Sequence, residues 1–159
     1  MEALNRHPPT TINAVAHRSD PWLGVRAFGA LAVLAVGAIH LQQYFELYSA
    51  IPTIGTLFVL NFAAATAIGL GLLAPVERLL GARLGSAALG ALALGGIGLA
   101  ATAFVFLAIS EHTPLFGFME PGYDPTAILA SRVAEGAAVL LLGAYLVARF
   151  AGRWSTARW

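Results

Sequence analysis

The sequence predicts an all-α integral membrane protein, a bundle of four transmembrane helices with both termini in the cytoplasm. Composition supports this fold class first. Of the 159 residues, 58% are hydrophobic and only 11% are charged, with a mean hydropathy of +0.77. An average soluble domain carries about 25% charged residues. The chain therefore lacks the charges to coat a domain of its size in water, and its long uncharged runs are typical of membrane helices.

Composition also excludes several classes of function. The chain has no cysteine, which excludes disulfides, thiolate catalysis and zinc or iron–sulfur centres held by cysteine. Its formal net charge is only +1, whereas a protein that binds nucleic acid needs a basic face. The apolar runs are continuous and lack the alternation of a membrane β-barrel.

Four helices follow from the uncharged runs, because about 20 apolar residues cross the hydrocarbon core of a bilayer. Prolines mark several helix ends. Pro52 and Pro75 bracket the second helix, and Asp124 followed by Pro125 is a good start for the fourth. The predicted spans are about 22–48, 53–74, 84–110 and 126–149.

The distribution of arginine predicts the orientation of the bundle domain, residues 22–150. All nine basic residues are arginines, and only Arg132 lies on the side opposite to the termini. Because an excess of arginine marks the cytoplasmic side, we expect the polar tail over 1–21 and the basic tail over 151–159 in the cytoplasm. Arginine without lysine, with much alanine and glycine, is typical of bacteria with GC-rich genomes. We therefore expect the inner membrane of a bacterium.

The third span carries small residues at a spacing of four. Examples are Gly81 and Gly85, and Gly96 and Ala100. This spacing lets another helix backbone approach closely, and in lipid such packing drives helix association. Two interpretations are open, namely packing inside the bundle and a seam between two copies of the chain.

A layer of polar residues inside the membrane is the candidate functional site. Counted at about 1.5 Å per residue, four polar residues, one on each span, lie at nearly the same depth: His40, Asn61, Thr102 and Glu135. Ionisable groups at such depth are costly and usually face a bundle interior or a wet cavity. Glu135 needs either a partner or a proton, and we expect His40 to be its partner.

Neighbouring polar side chains extend this layer. Gln43 and Tyr44 share a helix face with His40, and Arg132 shares a face with Glu135. The candidate ligand-binding residues are therefore His40, Gln43, Tyr44, Asn61, Thr102, Arg132 and Glu135. The predicted outer rim consists of Glu46, Glu111, His112 and Glu120.

The loop over residues 111–125 joins acids to aromatic rings. Phe116, Phe118 and Tyr123 lie in a segment that should face water, so their rings need an apolar surface. Three interpretations are open: the rings anchor the loop at the membrane interface, the loop forms a lid over the polar layer, or the rings contact a partner protein. In the same region Arg132 can reach the membrane interface or a carboxylate such as that of Glu46 or Glu111.

Three interpretations of the polar layer are open. It is a hydrogen-bonded clasp that fixes the bundle, the floor of an outward-opening cavity for a small ligand, or a redox or catalytic cavity. A metal site would use His40, Glu135 and His112, although no known metal-binding spacing is present. The favoured function is a ligand-binding or accessory subunit of a membrane complex or homo-oligomer. The alternative is an oxidoreductase or metal-handling protein, linked to quinone, metal or lipid, that uses His40 and Glu135.

Overall fold

A computed structural model describes residues 21–156, and this part of the chain is entirely helical apart from its connections. Four α-helices and one 3-10 turn follow one another: α1 (Pro21–Glu46), the turn (Tyr48–Ala50), α2 (Pro52–Leu73), α3 (Val76–Ser110) and α4 (Pro125–Thr156). Each α-helix is long and apolar enough to cross a membrane. Most of the predicted tail over 1–21 lies outside the described residues, whereas α4 continues past its predicted end at 149 to Thr156.

Proline begins three of the four helices. Pro21, Pro52 and Pro125 are the first residues of α1, α2 and α4, where the missing N–H would have no partner within the helix anyway. Asp124 caps α4, because its Oδ1 accepts hydrogen bonds from the backbone N–H groups of the first turn, at 3.1 and 3.0 Å. The Asp-Pro pair predicts this cap from the sequence.

The start of α3 is broken at Gly81, which has φ 77° and ψ 164°. Only glycine adopts this backbone conformation without strain. The turn over 76–80 folds back onto the rest of the helix, so that a Cβ atom on Gly85 would lie 2.5 Å from the Cα atom of Glu77. The long transmembrane part of α3 therefore begins after the break, close to the predicted start at 84.

Glycines let α1 approach α2 and α4 closely. A Cβ atom on Gly37 would lie 2.8 Å from the Cβ atom of Ala65, and one on Gly29 would lie 2.6 Å from Leu142 Cδ2. A side chain at Gly37 would push α1 and α2 apart, because the Cβ atom of Ala65 cannot rotate away, whereas one at Gly29 would first displace the Leu142 side chain. Because lipid is as apolar as the helices, such close packing holds the bundle together.

Only some of the small residues of α3 pack against other helices of the bundle. A Cβ atom on Gly96 would lie 2.7 Å from Leu142 Cδ1, so this glycine faces α4 inside the bundle. A Cβ atom on Gly90 or Gly98, in contrast, would have no atom of the described neighbouring residues within 4 Å. The interpretation as internal packing therefore holds for Gly96, and a seam between two copies stays a prediction.

The connections form two opposite ends of the bundle. At the loop end, Tyr48 of the 3-10 turn contacts Glu120 of the α3–α4 loop through a hydrogen bond. At the terminal end, Arg149 near the end of α4 pairs with Glu77 at the start of α3, with 3.4 Å between the charged atoms. The chain thus crosses from one end to the other four times.

Candidate functional site

A cavity of about 330 Å³ lies among the four helices near the loop end; we call it the loop-end cavity. Every α-helix contributes to its wall, as do Tyr48 and Phe118 of the two connections at this end. Most of the wall is apolar. The polar residues in it are His40, Gln43, Asn61, Thr102, Ser110, Glu120, Ser131 and Glu135.

The four residues predicted at one depth all lie in the wall of this cavity, each on a different helix. Gln43, one turn beyond His40, lies in the wall too. Two other predicted ligand-binding residues, Tyr44 and Arg132, do not. The ring of Tyr44 packs edge-on against Phe45, with 5.2 Å between the ring centroids.

Glu135 is buried to 1% exposure, the lowest of the polar side chains in the described chain. Ser131, one turn earlier on α4, donates a hydrogen bond of 2.8 Å from its Oγ to Glu135 Oε1. The other carboxyl oxygen, Oε2, has no hydrogen-bond partner among the described residues. Leaving a buried polar group unpaired costs about 1–3 kcal/mol, so we expect this oxygen to lower the free energy of unfolding of the ligand-free protein.

Asn61 on α2 presents a second unpaired atom. Its side chain is 8% exposed, and Oδ1 has no partner within the described chain. Among the side chains that the structure describes, Asn61 Oδ1 and Glu135 Oε2 are the two buried N or O atoms that lack a hydrogen-bond partner. Both residues line the cavity.

The predicted direct pair between His40 and Glu135 is wrong. His40 Nδ1 donates a hydrogen bond of 2.8 Å to the carbonyl oxygen of Val36, and no described residue bonds to its Nε2. The ring also packs edge-on against Phe58, with 5.0 Å between centroids. Each of the two predicted partners instead bonds one turn back along its own helix.

The predicted metal set is not brought together. His112 is exposed at the end of α3, where its Nδ1 donates to the carbonyl oxygen of Ala108 at 3.0 Å. His40 and Glu135 remain deep in the bundle. Within the described range, no group of three or more His, Asp or Glu side chains is arranged to hold a metal ion.

Ion pairs and hydrogen bonds occupy the predicted outer rim. Arg132 pairs with Glu111, one of the carboxylates within its predicted reach. The amide nitrogen of Gln43 donates to Glu46 at 3.2 Å and to Asp124 at 3.1 Å. These contacts join α1 to the start of α4 above the cavity.

Glu120, expected at the outer rim, is instead buried at 6% exposure beneath the α3–α4 loop. Its Oε2 accepts a hydrogen bond from the Tyr48 hydroxyl, and its Oε1 accepts from the backbone N–H groups of Gly122 and Tyr123, at 2.8 and 3.2 Å. The positive φ of Gly122, 82°, lets the loop turn back on the carboxylate. Glu120 thus fastens the loop to the turn between α1 and α2.

The aromatic residues of the loop divide between two directions. Phe118 turns inward, lines the cavity, and packs edge-on against Tyr48 with 5.6 Å between ring centroids. Phe116 and Tyr123 point outward, with 58% and 66% of their surfaces exposed. The lid interpretation therefore describes Phe118, whereas the exposed rings suit a membrane interface.

Raising the pH above 10 is expected to weaken the attachment of this loop. Burial, together with the hydrogen bond to Glu120, raises the pKa of the Tyr48 hydroxyl above its ordinary value. Because the folded-state pKa exceeds the unfolded value of about 10, this stabilisation is complete below pH 10. It is lost as the pH rises toward the folded-state pKa, at up to about 1.4 kcal/mol per pH unit. This loss is measured from melting temperatures between about pH 9 and 11.5, a range that includes the unfolded pKa. The fall in melting temperature should be smaller in the variant Tyr48→Phe. Equal falls in both proteins would contradict the assignment.

Comparison with protein-family models, with curated proteins and with solved structures finds no match to this chain. Its own geometry is therefore the basis for inferring a function. That geometry consists of four helices long enough to cross a membrane, and a cavity among them that is lined by two residues, Asn61 and Glu135, each with one unpaired buried oxygen.

Proposed function

We propose that the chain is a multi-pass membrane protein that binds an amphipathic small molecule in the loop-end cavity. The observation that carries this proposal is the pair of unpaired buried oxygens, Asn61 Oδ1 and Glu135 Oε2, in residues that line a mostly apolar cavity. Small-molecule sites combine an apolar wall with a few placed polar groups, and their volumes begin at about 300 Å³. A cavity of about 330 Å³ suits a compact head group or ring.

The polar atoms of the cavity favour a ligand that donates hydrogen bonds. Both unpaired oxygens can accept. His40 adds a third acceptor, because a neutral ring that donates from Nδ1 to Val36 carries a lone pair on Nε2. A ligand with hydroxyl or amine groups would therefore satisfy groups that the protein leaves unpaired.

The apolar body of the ligand has a route into the bilayer between α2 and α3. Leu60 lines the cavity and yet has 58% of its surface exposed on the outside of the bundle. Thr102 on α3 also lines the cavity and is exposed. The cavity thus reaches the surface that would face lipid, so an amphipathic molecule can enter sideways and keep its apolar part among acyl chains.

We also propose that the termini lie in the cytoplasm and that the loop-end cavity opens near the opposite surface of a bacterial inner membrane. The arginine distribution supports this orientation. Arg26, Arg78 and Arg149 lie at the terminal end, whereas Arg132 lies near the loop end and is paired with Glu111.

Filling the cavity should remove the ligand. Ala64→Phe places a ring in the cavity wall of α2, and Ala63→Phe places the same ring on the exposed side of the same helix. The protein is extracted from its native membrane with a styrene–maleic acid copolymer, and the bound small molecules are identified by mass spectrometry. We expect one amphipathic molecule at near-stoichiometric amount in the wild type and in Ala63→Phe, and at least tenfold less in Ala64→Phe.

Two results would contradict the proposal. One is a set of co-extracted molecules that is the same in both phenylalanine variants and in an unrelated membrane protein. The other is retention of the molecule by Ala64→Phe at an unchanged melting temperature, which would place the binding site elsewhere.

A further inference from the structure

A second cavity, of about 470 Å³, lies at the terminal end of the bundle; we call it the terminal-end cavity. It is enclosed by the start of α1, the α2–α3 connection and the end of α4. Three arginines and one acid line it: Arg26, Arg78, Arg149 and Glu77. The lining thus carries an excess of two positive charges.

The three arginines differ in their partners. Arg149 is held by the hydroxyl groups of Tyr145 and Ser86 and by the carboxylate of Glu77, which lies 3.4 Å away. Arg26 and Arg78 form no side-chain hydrogen bond or ion pair with any residue that the structure describes. Two guanidinium groups on different elements therefore face one cavity without an anionic partner in the described chain.

The fold brings these two arginines together through the break at Gly81. The positive φ of Gly81 turns the segment over 76–80 back against α3, where the backbone of Glu77 packs on Gly85. Arg78 in this turn lines the cavity together with Arg26 of α1.

The other lining residues suit the boundary between water and lipid. Trp22, Leu23 and Leu73 line the cavity with 44%, 51% and 42% of their surfaces exposed. Tryptophan is enriched at the depth of lipid head groups. Exposed leucines beside it offer a surface to the upper part of acyl chains.

We propose that the terminal-end cavity binds the phosphate-bearing head group of an anionic phospholipid. The planar fork of a guanidinium matches two phosphate oxygens at once, and basic pockets between transmembrane helices bind anionic head groups. The exposed leucines Leu23 and Leu73 favour a lipid over free phosphate, because acyl chains can cover apolar side chains and phosphate cannot. This inference is independent of the ligand in the loop-end cavity.

Binding is measured on the full-length protein in detergent, by native mass spectrometry and by the melting temperature at increasing phospholipid concentration. The probes are phosphatidylglycerol, phosphatidylcholine, which carries no net charge, and inorganic phosphate. We expect only phosphatidylglycerol to bind and to raise the melting temperature, and we expect salt to weaken this effect.

The arginines are tested with the double variant Arg26→Gln/Arg78→Gln. One arginine near an anionic surface contributes about fivefold to affinity, so by the same estimate the double variant should bind phosphatidylglycerol about 25-fold more weakly. Arg83→Gln is the matched control, because Arg83 is exposed after the same break but does not line the cavity. The affinity of this variant for phosphatidylglycerol should fall less than about twofold, since Arg83 lies outside the site.

Three outcomes would overturn the proposal. Equal binding of phosphatidylcholine would show that charge is not recognised. Full binding of phosphatidylglycerol by the folded double variant would place the lipid elsewhere. Stabilisation by inorganic phosphate alone, with the same dependence on the two arginines, would identify a soluble anion as the ligand. If the double variant does not fold, the single variant Arg78→Gln is measured instead. Its affinity for phosphatidylglycerol is expected to fall about fivefold.

Discussion

Replacing Glu135 with leucine is expected to abolish ligand retention without lowering the melting temperature of the ligand-free protein. The empty protein buries one carboxyl oxygen that no described residue pairs, and this costs about 1–3 kcal/mol. Leucine has a similar volume and no polar atom, so replacing such a group is neutral or stabilising. A gain of about 1 kcal/mol corresponds to roughly 2–4 °C in a protein of this size.

This result would distinguish a binding residue from a structural clasp. A carboxylate that held the bundle together would make the leucine variant less stable by several kilocalories per mole, because its former partners would remain buried. Among the described residues the only such partner is Ser131, and its hydroxyl can donate instead to a carbonyl oxygen of its own helix. Stability and binding should therefore change in opposite directions, as is common at functional sites.

Glu135→Gln is the matched control for shape. It keeps the volume and an acceptor for Ser131, so we expect melting within about 2 °C of the wild type and partial retention of the ligand. Melting curves and mass spectra of the three proteins are sufficient. A leucine variant that melts several degrees lower and still retains the wild-type amount of ligand would contradict the assignment of Glu135.

Several residues that line the cavity could be predicted from the sequence, whereas the side-chain partners inside the bundle could not. Counting from proline and loop residues places His40, Asn61, Thr102 and Glu135 at one level, and all four line the same cavity. Rise per residue is nearly constant in helices, so depth follows directly from position in the chain. The choice between a partner across the bundle and a carbonyl one turn back depends on rotamers, which the pattern does not specify. The pair of His40 and Glu135 was wrongly predicted for this reason.

The hydrogen bond between Tyr48 and Glu120, which joins the two connections at the loop end, could not be predicted from the sequence pattern either. Tyr48 follows the first apolar run and looks like an ordinary residue at a helix end, and Glu120 looks like one acid among several in a loop. Their hydrogen bond depends on two turns that meet at the same end, one of them shaped by the positive φ of Gly122. Contacts between loops distant in sequence leave no periodicity to detect.

Introducing leucine at Gly37 is expected to destabilise the bundle more than any of the other substitutions. A Cβ atom there would lie 2.8 Å from the Cβ atom of Ala65 and 3.4 Å from the carbonyl oxygen of Phe62. Backbone and Cβ atoms cannot rotate away, so α1 and α2 must separate. Overpacking of this kind costs about 1–3 kcal/mol or more, and about 3 kcal/mol corresponds to roughly 6–12 °C. Because α1 carries His40 and α2 carries Asn61, the ligand should be lost as well.

Gly98→Leu is the control, because a Cβ atom at Gly98 would have no atom of the described neighbouring residues within 4 Å. In the monomer its leucine would face lipid, so the melting temperature should not fall. Detergent melting curves and the apparent mass on size-exclusion chromatography measure both variants. Equal stability of the two variants would contradict the close packing of α1 on α2. A large fall for Gly98→Leu, with dissociation of a larger wild-type species, would show instead that a second copy of the chain covers this face of α3.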